Sequence, residues 1–303
     1  MSISRRNFIA RAGLLTAGAM LTSSAASARA LRYPPGVQLW TVKEDLARDF
    51  DGTLRALGQL GYRRVEAAGW HGRTAKQFRD SVRAAGLDLV SAHHGLKDLI
   101  ADTEGLLGFA RDVGVEYIVA SSPAPSRPVD GGKPWSHAVA EAMTLADWRS
   151  NAEAMDRIGR RAREMGMRFA YHNHSAEFLN YDSFMPMNEI VRLTDPAHVA
   201  IELDLGWVAG AGQDPVRMLE AYARRTHLLH VKDLATSERV PGKIVSDERT
   251  TPIGQGTIDW PTVFRAAAKA PIHSYFVEQE APFTEPPLQA LAKSIAYVRT
   301  LSI

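Results

Sequence analysis

Histidines and carboxylates of this 303-residue chain gather at the ends of short apolar runs. The segments are Ser91-Ala-His-His94, Tyr171-His-Asn-His-Ser-Ala-Glu177, Glu202-Leu-Asp204, His230-Val-Lys-Asp233 and Glu278-Gln-Glu280. Imidazole nitrogens and carboxylate oxygens ligate Mn²⁺, Co²⁺, Zn²⁺, Fe²⁺ or Mg²⁺, and the same groups move protons. Asp204 follows Ile201-Glu-Leu and Glu278 follows Phe276-Val. A carboxylate in such surroundings is costly without a metal or a partner. Both are therefore candidate metal ligands, as is His230 at the exit of Leu228-Leu-His-Val-Lys. Glu202 is expected to pair with an interior Arg or Lys. His93 and His94 point opposite ways on a strand, so at most one faces a pocket, and His94 is taken as that residue. The chain has no cysteine, which excludes disulfides, thiolate metal ligands, an iron–sulfur cluster and a Cys nucleophile.

The elements that must hold these residues alternate. Apolar runs at 36–40, 63–67, 87–93, 116–120, 168–172, 199–204, 227–231 and 274–278 read as strands. Helical spacing follows at 51–60, 74–85, 103–113, 145–165, 187–193, 215–224, 261–269 and 288–301. Several stops and starts are explicit: Gly61, Gly86, Gly114 and Gly166 close helices, and Asp214 caps one with Pro215 at its first position. Segments 121–143 and 234–257 read as loops. Alternating strands and helices demand a parallel sheet covered by helices. Eight units in about 270 residues close most simply into a single (β/α)8 TIM barrel of α/β class spanning residues 31–303. In such a barrel the strand ends carry the chemistry. No glycine-rich phosphate fingerprint follows the first strand, which argues against a nucleotide-binding sheet.

Residues 1–30 read as an address. Arg5-Arg6-Asn-Phe-Ile, a short apolar run from Ala12 to Leu21, and Ala28-Arg29-Ala30 follow in the order of a twin-arginine export signal with its cleavage site. The expected destination is the periplasm, with no membrane anchor after cleavage. Without this leader the balance is 32 basic to 34 acidic residues, a poor basis for binding nucleic acid.

Gly36-Val-Gln-Leu-Trp-Thr-Val, Leu60-Gly-Tyr-Arg-Arg-Val-Glu66, Tyr171-His-Asn-His, Leu203-Asp-Leu-Gly-Trp207, Leu229-His-Val-Lys-Asp233, Gly254-Gln-Gly-Thr-Ile-Asp259 and Val277-Glu278 resemble the xylose isomerase-like TIM-barrel superfamily. That superfamily includes sugar isomerases and epimerases, inosose dehydratase and endonuclease IV. The resemblance implies one divalent metal held by residues from strands five to eight. Three are Asp204, His230 and Glu278. The fourth is normally a Glu, where this chain has His172, so either His172 or Glu177 from the following loop completes the set. The family's epimerases use two glutamates as acid and base. Glu278 is one, and Glu177, His174 or His172 supplies the other. Lys232 or His94 holds a developing oxyanion. Glu66, His94 and Glu280 are placed as substrate contacts. Trp40, Trp70 and Trp207 near the mouth fit stacking on sugar faces. Many members carry a His where this chain has Trp207, so a multinuclear cluster of the endonuclease IV type is not expected.

These residues imply an isomerase or epimerase of a sugar or keto-sugar working through an enediolate. A lyase or dehydratase acting on an inosose or an oxidised glycoside fits the same layout. A non-catalytic exported sugar-binding protein would not need so many ligands, and a homo-oligomer is compatible with all of these.

Overall fold

The structure is a computed structural model, and it describes residues 33–181, 184–236, 240–245 and 249–301. The expected leader lies outside the described residues. Among the described residues, no helix is long and apolar enough to cross a membrane.

Eight parallel strands close into a ring. They are β1 (Gly36–Gln38), β2 (Arg64–Ala68), β3 (Asp88–His94), β4 (Tyr117–Ala120), β5 (Arg168–His172), β6 (Val199–Asp204), β7 (Thr226–Val231) and β8 (Ser274–Val277). β1 pairs with both β2 and β8, which leaves no exposed edge. The expected barrel and its eight strand–helix units are the observed architecture.

The differences are local. The first strand stops at Gln38, and Leu39–Val42 turn into a 3-10 helix. Gln38 causes this by accepting the Trp40 backbone N–H with its side chain. The stretch 121–143 holds a helix at Trp135–Ala142, and short helices stand at Lys43–Arg48, Leu96–Ala101 and Leu205–Gly210. These run six to eight residues, too short to show a clear helical period.

Two apolar layers hold the barrel. The larger lies between the sheet and the helices. The smaller fills the ring: Val90, Tyr117, Val119, Ala170, Ala200, Leu228 and Phe276. From this plug the strand period of two carries inward positions up to the C-terminal mouth. Above Ala170 come His172 and His174, above Ala200 come Glu202 and Asp204, and above Leu228 come His230 and Lys232. Above Phe276 come Glu278 and Glu280. The polar layer rests directly on the plug.

Two register shifts adjust this stack. Val65 pairs with Leu89 and Glu66 with Ser91, so Val90 is an extra residue on β3. Ile201 pairs with Thr226 and Glu202 with Leu228, so His227 is extra on β7. Such bulges re-aim the residues that follow.

The segment after β7 is tied to Asp233. Its carboxylate accepts the backbone N–H groups of Leu234, Gly254, Gly256 and Ile258, and the indole N–H of Trp260, at 2.9–3.2 Å. This is the local reason for Gly254-Gln-Gly-Thr-Ile-Asp259. Gly254 sits at φ +86, and a Cβ on Gly256 would fall on the Asp233 carboxylate. Asp233→Ala would leave these donors unmet in a buried place. We expect it to cost about 3 kcal/mol or more in urea unfolding. A loss below about 1 kcal/mol would show that water replaces the carboxylate.

Candidate metal centre and pocket

The mouth of the barrel encloses a cavity of about 730 Å³. His93, His94, His172, His174, Trp40, Trp135, Trp207, Arg249, Glu278 and Glu280 are among its lining residues. The ring of acidic and imidazole side chains beneath it is dry. Glu66, Glu202, Asp204, His230 and Lys232 have 0% exposure and Glu278 has 5%.

His230 divides this ring into two sets. Its Nδ1 faces upward, 2.9 Å from Glu278 Oε2 and 3.7 Å from Asp204 Oδ2. Asp204, His230 and Glu278 form one group able to converge on a cation. Its Nε2 faces downward, 2.6 Å from Glu66 Oε1 and 3.4 Å from Glu202 Oε2. Backbone register explains the upper set, because Asp204 pairs with His230 and the residue before Glu278 pairs with Val231.

Lys232 is the cation of the upper set. Its Nζ lies 3.1 Å from Asp204, 2.9 Å from Glu278 and 2.7 Å from Glu280, over the face of Trp207 at 4.1 Å. Burial would lower its pKa, but the carboxylates outweigh burial and hold it well above the ordinary lysine range. Burial would raise the Glu278 carboxyl, and Lys232 and His230 outweigh it, keeping Glu278 ionised. Burial wins at Asp204 and at Glu280, whose carboxyls are raised despite Lys232. His174 is held neutral, first by burial and then by Lys232.

The residues fit a divalent cation. Asp204 Oδ2 is buried and accepts no hydrogen bond, although Lys232 is near. Two carboxylates and one imidazole make an oxygen-rich donor set with positions left open, the form of a catalytic rather than a structural site. Glu66 below His230 can accept its second ring N–H, fixing the tautomer that frees Nδ1.

The structure brings together most of the residues expected from the sequence, with several corrections. Glu177 does not reach the pocket. Its carboxylate accepts the Tyr171 hydroxyl at 2.5 Å and the His174 backbone N–H at 3.0 Å, on the outer side of β5. It is therefore neither a metal ligand nor a catalytic base in this arrangement, but a brace for the loop that carries His174. Burial raises its pKa to about 7. Glu66 is no substrate contact. It lies under the floor, bonded to Gln38, Ser91 and His230. Lys232 acts from below the cavity wall rather than within it. His172 and His174 both line the cavity, but His172 Nδ1 turns toward Glu202, 3.3 Å away, and not toward Asp204. Trp40, His94, Trp207 and Glu280 line the cavity, while Trp70 packs against Phe78 and Phe109.

Three features were missed. His93 and His94 both line the cavity, against the expectation that at most one would, and only His93 enters the buried ring, 2.6 Å from Glu202 and 3.0 Å from Glu66. Glu202 pairs with histidines rather than with Arg or Lys. Trp135, 4.2 Å from His174 between ring centroids, walls the cavity from the stretch read as a loop.

Comparison with known proteins agrees with the fold. The profile of the family described as xylose isomerase-like TIM barrel matches residues 54–301. An inosose dehydratase of Geobacillus kaustophilus is 23% identical over 61% of this chain, and the match spans 62% of that protein's length. An inosose dehydratase of Mesomycoplasma hyopneumoniae is 24% identical, with 87% of this chain and 93% of that protein aligned. A sugar phosphate isomerase/epimerase structure from Parabacteroides distasonis superposes with a TM-score of 0.69 at 23% identity, covering 92% of this chain and 96% of that one. A xylose isomerase-like TIM-barrel protein from Mycobacterium smegmatis, in complex with magnesium, superposes at 0.63 and 14% identity, covering 89% and 96%.

Proposed function

The chain belongs to the xylose isomerase-like TIM-barrel family, and from that premise we propose that it is a metal-dependent enzyme that eliminates water from a sugar-like polyhydroxy ketone. The observation that carries this reading is the placement of Glu278 and Glu280. They leave β8 two residues apart, face the same side and share Lys232.

The first step is common to elimination, isomerisation and epimerisation: a proton leaves the carbon beside a carbonyl. When bound at Asp204, His230 and Glu278, a divalent ion would polarise the carbonyl and offset the enediolate charge. Glu278, kept ionised by Lys232 and His230, takes the proton. Glu280, whose carboxyl burial raises above the ordinary range, is the proton donor in this reading. It delivers its proton to the departing β-hydroxyl as the carbon–oxygen bond breaks, and water leaves. Base and acid on one wall make this a syn elimination. His174, His94 and Trp207 line the cavity in which the substrate's hydroxyls would lie.

Epimerisation needs a base on each face of one carbon. The second carboxylate expected for that role, Glu177, is turned away, and strand five offers neutral imidazoles instead. The names of the dehydratase relatives support elimination. The isomerase/epimerase reading keeps the solved fold neighbours as its support.

One experiment separates them. The enzyme with Mn²⁺, Co²⁺ or Mg²⁺ is incubated with inososes and keto-sugars in deuterated water. Elimination predicts a conjugated product with new near-ultraviolet absorbance. Solvent deuterium in an unabsorbing epimer or isomer would favour the second reading. No exchange with any polyhydroxy ketone would overturn both.

A further inference from the structure

Below the upper set lies a second ring of donors, of which the proposed reaction uses only His230. His93 from β3, His172 from β5, Glu202 from β6 and His230 from β7 place four ligand atoms within 4.8 Å of one another. We infer that this lower ring is a second, closed metal site for a zinc-class cation, distinct from the open upper site. The inference concerns metal binding and does not rest on the proposed reaction.

The geometry is that of a collapsed cage. Glu202 Oε2 stands at its centre, 2.6 Å from His93 Nε2, 3.3 Å from His172 Nδ1 and 3.4 Å from His230 Nε2. Ligands at 2.0–2.1 Å from a tetrahedral zinc are separated by about 3.3 Å. Opening the His93–Glu202 contact by under 1 Å would admit the ion. His172 Nδ1 faces Glu202 Oε2 without a hydrogen bond, and Glu202 Oε1 is likewise buried and unpartnered. Unmet polar atoms at full burial are costly, and a cation meets both.

The donor types separate the ions. Three imidazoles and one carboxylate suit Zn²⁺ or Co²⁺, whereas the upper set is richer in oxygen and accepts Mn²⁺ or Mg²⁺. Four protein ligands with no vacancy mark a structural site, which here would bind four strands together. His93 and His172 line the cavity, so the ion has a way in. With both ions bound, His230 bridges them as an imidazolate, Nδ1 above and Nε2 below, and the ring proton that Glu66 accepts in the metal-free ring passes to solvent.

The test is a metal count. The full chain is stripped with chelator, then titrated with Co²⁺ and followed by its visible absorption and by elemental analysis. Two equivalents are expected for the wild type. His93→Asn and Glu202→Gln should each lose one and retain the other, and Glu278→Gln should lose the complementary one. The lower ion should also raise the melting temperature of the wild type but not of His93→Asn. A single wild-type equivalent, abolished by Glu278→Gln and untouched by His93→Asn, would overturn the second site. A single equivalent abolished by His93→Asn and spared by Glu278→Gln would keep the lower cage and sink the upper site instead. No binding at all overturns both. Should His93→Asn fail to fold, the wild-type count together with Glu202→Gln and Glu278→Gln still decides.

Discussion

Glu278→Gln should lower turnover by at least ~1000-fold and leave the barrel folded. The substitution keeps shape and volume at a residue 5% exposed. It removes the carboxylate assigned to take the proton, a role worth about 100- to 10,000-fold. It also removes one of three oxygen and nitrogen ligands of the upper site. The fold survives because Lys232 still pairs with Asp204 and Glu280, and because the apolar plug lies beneath the polar layer. Deuterium exchange into substrate measures the loss directly. Near-native exchange with a full metal complement would remove Glu278 from the mechanism.

Lys232→Met should cost about 3–5 kcal/mol of stability at neutral pH in metal-free protein. The methionine fills much of the stem's volume over Trp207, but it leaves Asp204, Glu278 and Glu280 facing one another without their ammonium. The carboxyls of Asp204 and Glu280 already sit above their ordinary range because they are buried, and losing Lys232 pushes them higher. A carboxyl whose folded pKa exceeds its unfolded value stabilises the fold while protonated, and that contribution disappears as pH rises through the folded pKa. The deficit should therefore be smaller at pH 5 than at pH 8. Added divalent ion should recover part of it by mass action on the folded state. Urea titrations at both pH values, with and without Mn²⁺, check this. A deficit independent of pH and metal would mean that Lys232 acts through packing alone.

The barrel was legible because its signals are long and periodic: eight apolar runs, each followed by a helical pattern, most of these closed by glycine or opened by a cap. The grouping of Asp204, His230 and Glu278 was legible because a carboxylate or imidazole inside an apolar run needs a reason. His93 was not, and the reason is the bulge. Counting by twos from Val90, which fills the plug, puts Ala92 and His94 inward. The extra residue on β3 resets the count, so Ser91 and His93 point in while Ala92 joins the outer layer. A one-residue register shift depends on the neighbouring strand and leaves no local trace. Glu177 misled for the opposite reason. Its spacing from His172 allows it to fold back, and only the Tyr171 hydroxyl, on the outer face of the strand, shows where it goes. The glycine-rich run at 254–259 was visible as a motif, but its function as a wrap around Asp233 appears only in three dimensions.

The Lys232 stem leaves no room beside the turn at Gly206. A Cβ built there would lie 2.8 Å from Lys232 Cβ and Cγ, and 2.6 Å from the Lys232 carbonyl oxygen. Gly206 is held by the helix that Asp204 caps through the Trp207 N–H, so it cannot swing aside. The nearest of these atoms is main chain, so a smaller side chain at 232 does not free position 206. A library that randomises residue 206 alone should return glycine almost exclusively, whatever activity is selected.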